Sequence, residues 1–416
     1  MNYVIIGNSA AAIGCIEGIR QIDKTGPITV ITKEVYHTYS RPLISYLLSG
    51  KTDEERMKYR PDIFYQEMNC KLLTGMTVEK ILADEKQVLV NDGSRISYDK
   101  LLVATGSNAF VPPIKGLENV KKWFTFMSLD DAKAIQKSIS PNTRVLIMGA
   151  GLIGLKCAEG ITDKAGHITV VDLADRILPS ILDEQSSEIV QTHMEKQQLE
   201  FILSDSVQKF DSDSALLSSG KRIEFDVLIV AVGVRPNTQL IAEAGGRVGI
   251  GIVTDEYCRS TLPDIYAAGD CAESYDITAE DSRVLALLPN AYMQGECAGI
   301  NMAGEKKAYA KAIPMNAIGF FGLHIITAGS YVGDEYVDSE STKNAKSRKN
   351  TYKKLVTRDG LLKGYILVGD VARAGIYTAL IKEKKPLESI DFELIKDKPQ
   401  LMAFSRVERE KMLGGR

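Results

Sequence analysis

Histidine and tryptophan are scarce in this chain of 416 residues, at four and one. His37, His167, His193 and His324 are scattered and none lies near the C-terminus, which excludes a histidine acid–base pair at the end of the chain. The six cysteines (Cys15, Cys70, Cys157, Cys258, Cys271 and Cys297) form no CxxC pair and no zinc-like spacing. Most are expected to be buried small hydrophobes. No apolar run approaches the length needed to span a bilayer. Charge of one sign is also lacking, since 51 Lys and Arg against 54 Asp and Glu leave a formal net charge of −3. Neither nucleic acid nor anionic lipid would be drawn to such a surface. The apolar N-terminus has no basic n-region and reads as a strand entering a glycine turn instead of a secretory signal, so a cytoplasmic location is expected.

What is present is the composition of a soluble globular protein, 44% hydrophobic and 25% charged, long enough for two or three domains. Strand-like and helical runs alternate from the first residue: YVIIG, a helix near 10–23, then ITVIT at 28–32, a βαβ opening. The same grammar restarts at RVLIMGAGLIGLKCAEGI (144–161) and HITVVD (167–172), predicting two doubly wound domains. DKLLVATG (99–106) and DVLIVAVGVRPN (226–237) repeat a strand–glycine–proline pattern at the end of each unit. After about residue 310, LHIITAGSYVG and LVTRDGLLKGYILVG predict antiparallel hairpins with helices after them. The basic stretch at 341–354 reads most simply as a solvated loop.

The stronger motif is Gly149-Ala150-Gly151-Leu152-Ile153-Gly154, which follows a strand, opens a helix and leads to Asp172. The first glycine makes the turn, the second lets backbone approach a pyrophosphate, and the third lets helix and strand pack, with the helix N-terminus facing the negative charge. Asp172 can accept hydrogen bonds from a ribose 2′-hydroxyl and would repel a 2′-phosphate, which favours NADH over NADPH, although Arg176 is near in sequence. The first motif is degenerate: Gly7-Asn8-Ser9-Ala10-Ala11-Ala12 has Ser9 and Ala12 where the other glycines would stand, and Glu34, after Thr32, is the nearest carboxylate for a ribose. A later strand ends in Gly269-Asp270, where the Asp either meets a cofactor or only caps a following helix.

Taken together, these residues resemble the pyridine nucleotide–disulfide oxidoreductase superfamily over essentially the whole chain, nearest its rubredoxin and ferredoxin reductase branch. Tyr39-Ser40-Arg41-Pro42, Ala104-Thr105-Gly106, Gly233 to Asn237 (Gly-x-Arg-Pro-Asn), Gly269 to Glu273 and Gln294 to Gly304 carry the resemblance. It implies two Rossmann-like α/β domains, binding FAD and NAD, and a smaller C-terminal α+β domain. The boundaries expected are 1–112 and 239–309 for the FAD domain, 113–238 for the NAD domain and 310–416 for the third. FAD would be held by Gly7, Ser9, Ala10, Ala11, Ala12, Lys33, Glu34, Arg41, Pro42, Val78 at the adenine end, Ala104, Thr105 and Gly106 at the pyrophosphate, Gly269, Asp270 at the ribityl chain, and Leu288. NAD would be held by Gly149, Gly151, Leu152, Ile153, Gly154, Asp172, Val232 and Gly233. Homodimers through the third domain are common in the superfamily.

Three departures from that family shape the expected function. No redox-active Cys pair follows the first motif, since Cys15 is placed in the first turn of the first helix, and 36–50 holds no Cys. The C-terminal His–Glu pair is missing. Lys156 stands where relatives often have a Glu that touches the nicotinamide, and Tyr46 where some ferredoxin reductases have a Lys; a plain alternative is that Lys156 points to solvent and Glu159, one helical turn on, takes over a polar role. The resemblance therefore implies an NADH-dependent flavoprotein with no catalytic acid or base, exchanging electrons with a ferredoxin- or rubredoxin-type iron protein. Lys343, Lys346, Arg348, Lys349, Lys353 and Lys354, and Arg406, Arg409 and Lys411 in the tail, are candidate docking cations. The alternatives are an NADH oxidase or peroxidase that reacts directly with oxygen or peroxide, and a non-catalytic NADH-sensing flavoprotein.

Overall fold

The computed structural model describes residues 1–338, 351–397 and 399–412. Its chain forms two compact units: Met1–Asp175, Gln198–Tyr275 and Asp281–Ala312 in the first; Arg176–Gln197, Asp276–Glu280 and Ile313–Arg416 in the second. Nothing in the sequence announces that 176–197 and 276–280 leave the first unit for the second.

Two five-stranded parallel sheets organise the first unit. In one, the strands run across the sheet in the order Ile265–Ala267, Lys100–Val103, Tyr3–Ile6, Ile28–Ile31 and Cys70–Leu73. In the other, the order is Leu199–Ile202, His167–Val171, Arg144–Met148, Val227–Val230 and Trp123–Phe124. All four residues of Tyr3–Ile6 and of Val227–Val230 are buried, which explains why these strands read as continuous apolar runs and not as alternating ones. Both doubly wound domains predicted from the repeated βαβ grammar are present. The last strand of the first sheet arrives only after the second sheet is finished.

The helix Ala10–Ile22 packs against the helix Leu288–Met302 almost backbone to backbone. Each contributes two glycines four residues apart, hence on one face. A Cβ on Gly14 would stand 2.2 Å from Tyr292 O, on Gly18 2.4 Å from Glu296 O, on Gly295 1.9 Å from Ala11 O, and on Gly299 2.2 Å from Cys15 O. Cys15 lies in the second turn of its helix, not the first.

The second unit is α+β, built on an antiparallel five-stranded sheet ordered Met315–Phe320, Leu323–Gly329, Leu361–Val368, Tyr352–Arg358 and Asp334–Asp338. Asp359 and Gly360 connect two of these strands with φ of +56° and +70°, the two-residue turn whose twist matches the flanking strands. The helix Ala374–Lys382 packs its buried Tyr377, Leu380 and Ile381 into a core with Leu355, Tyr365 and Leu367. The basic stretch departs from its reading at its far end, because Tyr352 begins a strand. Lys354 is 6% exposed and pairs with Asp183 at 3.2 Å and Glu335 at 2.7 Å. Lys353 donates to the carbonyls of Lys396 and Asp397. Both are structural cations and not free docking groups. Arg406 pairs with Glu410 at 3.0 Å, and Arg409 lies against Met402. Lys343, Lys346, Arg348 and Lys349, and the side chain of Lys411, lie outside the described residues.

Candidate functional site

Parallel strands end on the same edge of a sheet, and in doubly wound folds that edge is where ligands sit. Here the segments that follow the first sheet's strands line one cleft of about 1220 Å³: Gly7–Ala11, Thr32–Val35, Ala104–Ala109 and Ala268–Asp270. Gly7 makes this possible. Its φ is +113°, and a Cβ there would stand 2.1 Å from Ala104 O, so only glycine lets the two turns touch. Ser9 is the N-cap of the following helix but its side chain makes no capping bond, which leaves the first-turn N–H groups directed at the cleft.

Charge is distributed unevenly along the cleft. Glu34, in the segment after the strand Ile28–Ile31, accepts from Arg41 at 2.6 Å, and Arg41 also donates to Tyr39 Oη at 3.2 Å and Met127 O at 3.1 Å. Asp270 sits deep in the cleft, where burial raises its carboxyl above the ordinary aspartate value while the charge of Arg41 and a hydrogen bond from Ser107 oppose that rise. It caps no helix, since Glu273–Asp276 following it is a strand. Gly269 N–H is held by Gln294 Oε1 at 2.8 Å, which ties this turn to the Leu288 helix. A long cleft with N–H groups at a helix start, a half-buried carboxylate, and an Arg–Glu pair beyond it fits a dinucleotide with a pyrophosphate and a polyhydroxyl chain.

Most of the residues expected around the first motif line this cleft: Gly7, Ser9, Ala10, Ala11, Lys33, Glu34, Arg41, Val78, Ala104, Thr105, Gly106, Gly269 and Asp270. Ala12, Pro42 and Leu288 do not. Ala12 is fully buried in the core under its helix, Pro42 is exposed in a short 3-10 turn, and Leu288 packs on the core at the start of its helix. Position 12 serves helix packing, for which alanine is small enough. Sequence reasoning missed Asp131, whose carboxylate accepts from Met127 N–H at 2.8 Å, Ser128 N–H at 3.1 Å and Thr125 Oγ1 at 3.1 Å, and so shapes the cleft wall. The Ser128-x-x-Asp131 capping box was the available signal. It also missed that Asn237 and Thr105 bond reciprocally, Nδ2 to O at 2.9 Å and Oγ1 to O at 2.8 Å.

The second glycine motif forms a cradle at the same edge of the second sheet. A Cβ on Gly149 would stand 2.3 Å from Ala231 O, and one on Gly154 2.0 Å from Gly149 O, whereas nothing lies within 4 Å of a Cβ on Gly151. Gly149 and Gly154 are thus packing glycines, and Gly151 is the open side. Leu152 and Ile153 start the helix Leu152–Ile161, and Val232 and Gly233 follow the adjacent strand, Val232 being 38% exposed. Asp172 accepts from Ala150 N–H at 2.6 Å and Ala174 N–H at 2.8 Å, so its orientation is fixed while each oxygen keeps a further lone pair.

Lys156 does not point to solvent. It is ion-paired with Glu159, its side chain is 19% exposed, and it lies over the Tyr46 ring at 5.2 Å. The helices that carry them are close, since a Cβ on Gly160 would stand 2.9 Å from Ser45 O and Lys164 donates to Leu48 O. The two departures at 46 and 156 are therefore one contact. No cysteine lines the cleft. Among the described residues no cluster of three or more His, Cys, Asp or Glu could hold a metal ion, and no helix is long and apolar enough to cross a membrane.

Comparison with known proteins adds to this geometry. Residues 1–295 match the pyridine nucleotide-disulphide oxidoreductase family model, and 314–385 match that of the rubredoxin NAD+ reductase C-terminal domain. The chain is 30% identical over 394 residues, 92% of each chain, to the NADH-dependent phenylglyoxylate dehydrogenase subunit epsilon of Aromatoleum evansii. It is 29% identical over 377 residues, 89% of this chain and 95% of the other, to the rubredoxin-NAD(+) reductase of Alcanivorax borkumensis. A chain of the covalent putidaredoxin reductase–putidaredoxin complex superposes with a TM-score of 0.87 at 22% identity, covering 100% of this chain and 98% of that one, which is a likeness of fold.

Proposed function

The chain belongs to the pyridine nucleotide-disulphide oxidoreductase family, and from that premise we propose that it is an FAD-dependent NAD(P)H:acceptor oxidoreductase. It moves electrons between NADH and a one-electron iron–sulfur or iron protein of ferredoxin or rubredoxin type. The observation that carries this reading is the match of 314–385 to the rubredoxin reductase C-terminal domain, on a chain whose cleft lacks any cysteine to relay electrons through a thiol.

When bound, FAD takes a hydride from the nicotinamide and gives up electrons singly. We assign the residues lining the first cleft to FAD. In this assignment the N–H groups that follow Gly7 and Ser9 face the pyrophosphate, Glu34 and Arg41 the adenosine end, and Asp270 the hydroxyls of the ribityl chain. Gly149, Gly151, Leu152, Ile153, Gly154, Asp172, Val232 and Gly233 are assigned to NADH. Asp172 orients the ribose through hydroxyl hydrogen bonds and disfavours a 2′-phosphate by charge repulsion. No side chain is assigned as acid or base, because the transfer needs stacking and exclusion of water. The three-part division near residues 112, 238 and 310 and a cytoplasmic site of action belong to the same proposal, the latter because both NADH and small iron proteins are its substrates.

Anaerobic stopped-flow kinetics test it. The NADH-reduced protein is mixed in turn with oxidised ferredoxin, rubredoxin and oxygenated buffer. Fast flavin reoxidation by an iron protein with slow reoxidation by oxygen is the expected result. Fast reoxidation by oxygen alone overturns it in favour of an oxidase, and no turnover with any acceptor in favour of a sensor.

A further inference from the structure

The turn after the strand Tyr3–Ile6 carries Ser9 where a second glycine would let backbone come close to a diphosphate, and the residue before it, Asn8, is polar. Both line the first cleft, with Asn8 half-buried. Gly7 seats the turn against Ala104, so the backbone at Asn8 is held in place by the neighbouring strand. Its side chain is held as well. The Asn8 carboxamide oxygen accepts from Tyr65 Oη at 2.5 Å.

Tyr65 is a rigid support for that bond. It stands on the short helix Phe64–Glu67, just ahead of the strand Cys70–Leu73 at one edge of the first sheet. It is 7% exposed and belongs to the same buried cluster as Ile5, Ala11 and Ile13. Its ring meets Phe64 edge-on at 5.3 Å and His37 at 5.0 Å. Burial pushes the phenol above its ordinary range, so it keeps its proton and serves as the donor. The carboxamide is thereby oriented: Oδ1 is turned to Tyr65, and the Nδ2 end, which makes no hydrogen bond among the described residues, keeps two N–H donors for a ligand in the cleft.

We propose that Asn8 binds the diphosphate of FAD through its Nδ2 amide, with Tyr65 as the positioning residue that turns the amide toward it. The proposal rests on the assignment of the first cleft to FAD. A diphosphate offers only acceptors, so an amide nitrogen is complementary to it and an amide oxygen is not. The side-chain donor supplies at this turn what close backbone approach supplies where the motif has its second glycine. The helix start beside it, whose Ser9 makes no side-chain capping bond, adds backbone N–H groups to the same contact. A motif that looks degenerate in its glycines is in this way complete in its donors.

The test separates the two ends of the amide. Asn8→Asp keeps an acceptor for Tyr65 Oη and replaces the donors by an anionic oxygen, whereas Tyr65→Phe removes the support and keeps the donors. The FAD-loaded parent and variants are dialysed to equilibrium against graded free FAD, bound flavin is read from absorbance, and the bound diphosphate is followed by phosphorus NMR with FAD in excess. Asn8→Asp should weaken FAD binding by about 100-fold and shift the diphosphate resonances, Asn8→Ala should weaken it by about tenfold, and Tyr65→Phe by about threefold. Asn8→Ala reads the same contact without an added charge should Asn8→Asp not fold. Parental affinity with parental resonances in the Asn8 variants overturns the proposal. So does an equal loss in Asn8→Asp and Tyr65→Phe with unshifted resonances, which would make the pair a structural tie only. A parent protein that binds no FAD instead overturns the assignment of the cleft, and the proposal with it.

Discussion

Replacing Gly295 by alanine tests whether the cleft depends on backbone contact between the helices Ala10–Ile22 and Leu288–Met302. The new Cβ would stand 1.9 Å from Ala11 O, 2.7 Å from Ala11 C and 2.9 Å from Ala11 Cα, all backbone atoms that cannot rotate away. The helices must separate, and overpacking of this kind costs roughly 1–3 kcal/mol. Because the clash is with backbone at such short range, the upper end applies. Alanine also improves helix propensity by about 1 kcal/mol, leaving a net loss of about 2 kcal/mol. At roughly 2–4 °C per kcal/mol, the melting temperature should fall by about 4–8 °C. Separation would also draw Gln294 from Gly269 N–H, so FAD should dissociate more readily. The control is Gly375→Ala in the helix Ala374–Lys382, where a Cβ meets nothing within 4 Å and the same propensity gain should leave stability unchanged or higher. Thermal melts of both variants, with flavin content after gel filtration, decide the matter. A Gly295→Ala protein that melts at or above the parent and keeps its full flavin refutes the close-contact argument.

Three further outcomes are expected. Asp172→Ala should raise KM for NADH by between about 10- and 100-fold, the worth of hydrogen bonds to a charged acceptor, with little change in KM for the protein acceptor, read by steady-state kinetics. Asp270→Asn should weaken FAD binding by about tenfold, a change of about 1.4 kcal/mol, measured by flavin fluorescence titration. Its effect on the apoprotein runs the other way. The folded-state value of Asp270 is raised by burial, so the parent apoprotein loses stability as pH climbs from the ordinary aspartate value through the raised one, and the variant should lack that step. Finally, Lys156→Met should destabilise the fold because it takes away a charge partner of Glu159, whose side chain is only 12% exposed, while Lys156→Met/Glu159→Gln should recover much of the loss; denaturant melts of the cycle should give a coupling of about 1 kcal/mol or more.

How far the sequence could be read depended on whether a signal was local. The strand Tyr3–Ile6, its glycine turn and the helix after it are consecutive, so the βαβ openings were legible from apolar runs and turn residues. The hairpin at Asp359-Gly360 was legible for the same reason. The pairing of Glu34 with Arg41 is not, since in the sequence each stands as a separate contact to a cofactor and only the fold brings them to 2.6 Å. Nor is the meeting of Tyr46 with Lys156, which are 110 positions apart and stand in the sequence as two separate departures. Lys353 and Lys354 show the opposite error: their charge suggests solvent, but the strand Tyr352–Arg358 sets Lys354 between Asp183 and Glu335 and Lys353 against the carbonyls of Lys396 and Asp397. The glycines at 14, 18, 295 and 299 were visible as letters, but their meaning depends on the partner helix, which no local pattern names.

The late return of the chain to its first sheet has a consequence for synthesis. The second sheet uses residues from Trp123 to Val230, whereas the first stays open until Ile265–Ala267 and the Leu288–Met302 helix have been made. Domains generally form as their residues leave the ribosome. A nascent chain cut off near residue 250 should therefore already hold the glycine cradle of the second sheet while the cleft of the first sheet still lacks a wall, so on the proposed assignment flavin would be captured only after the rest of the chain is made.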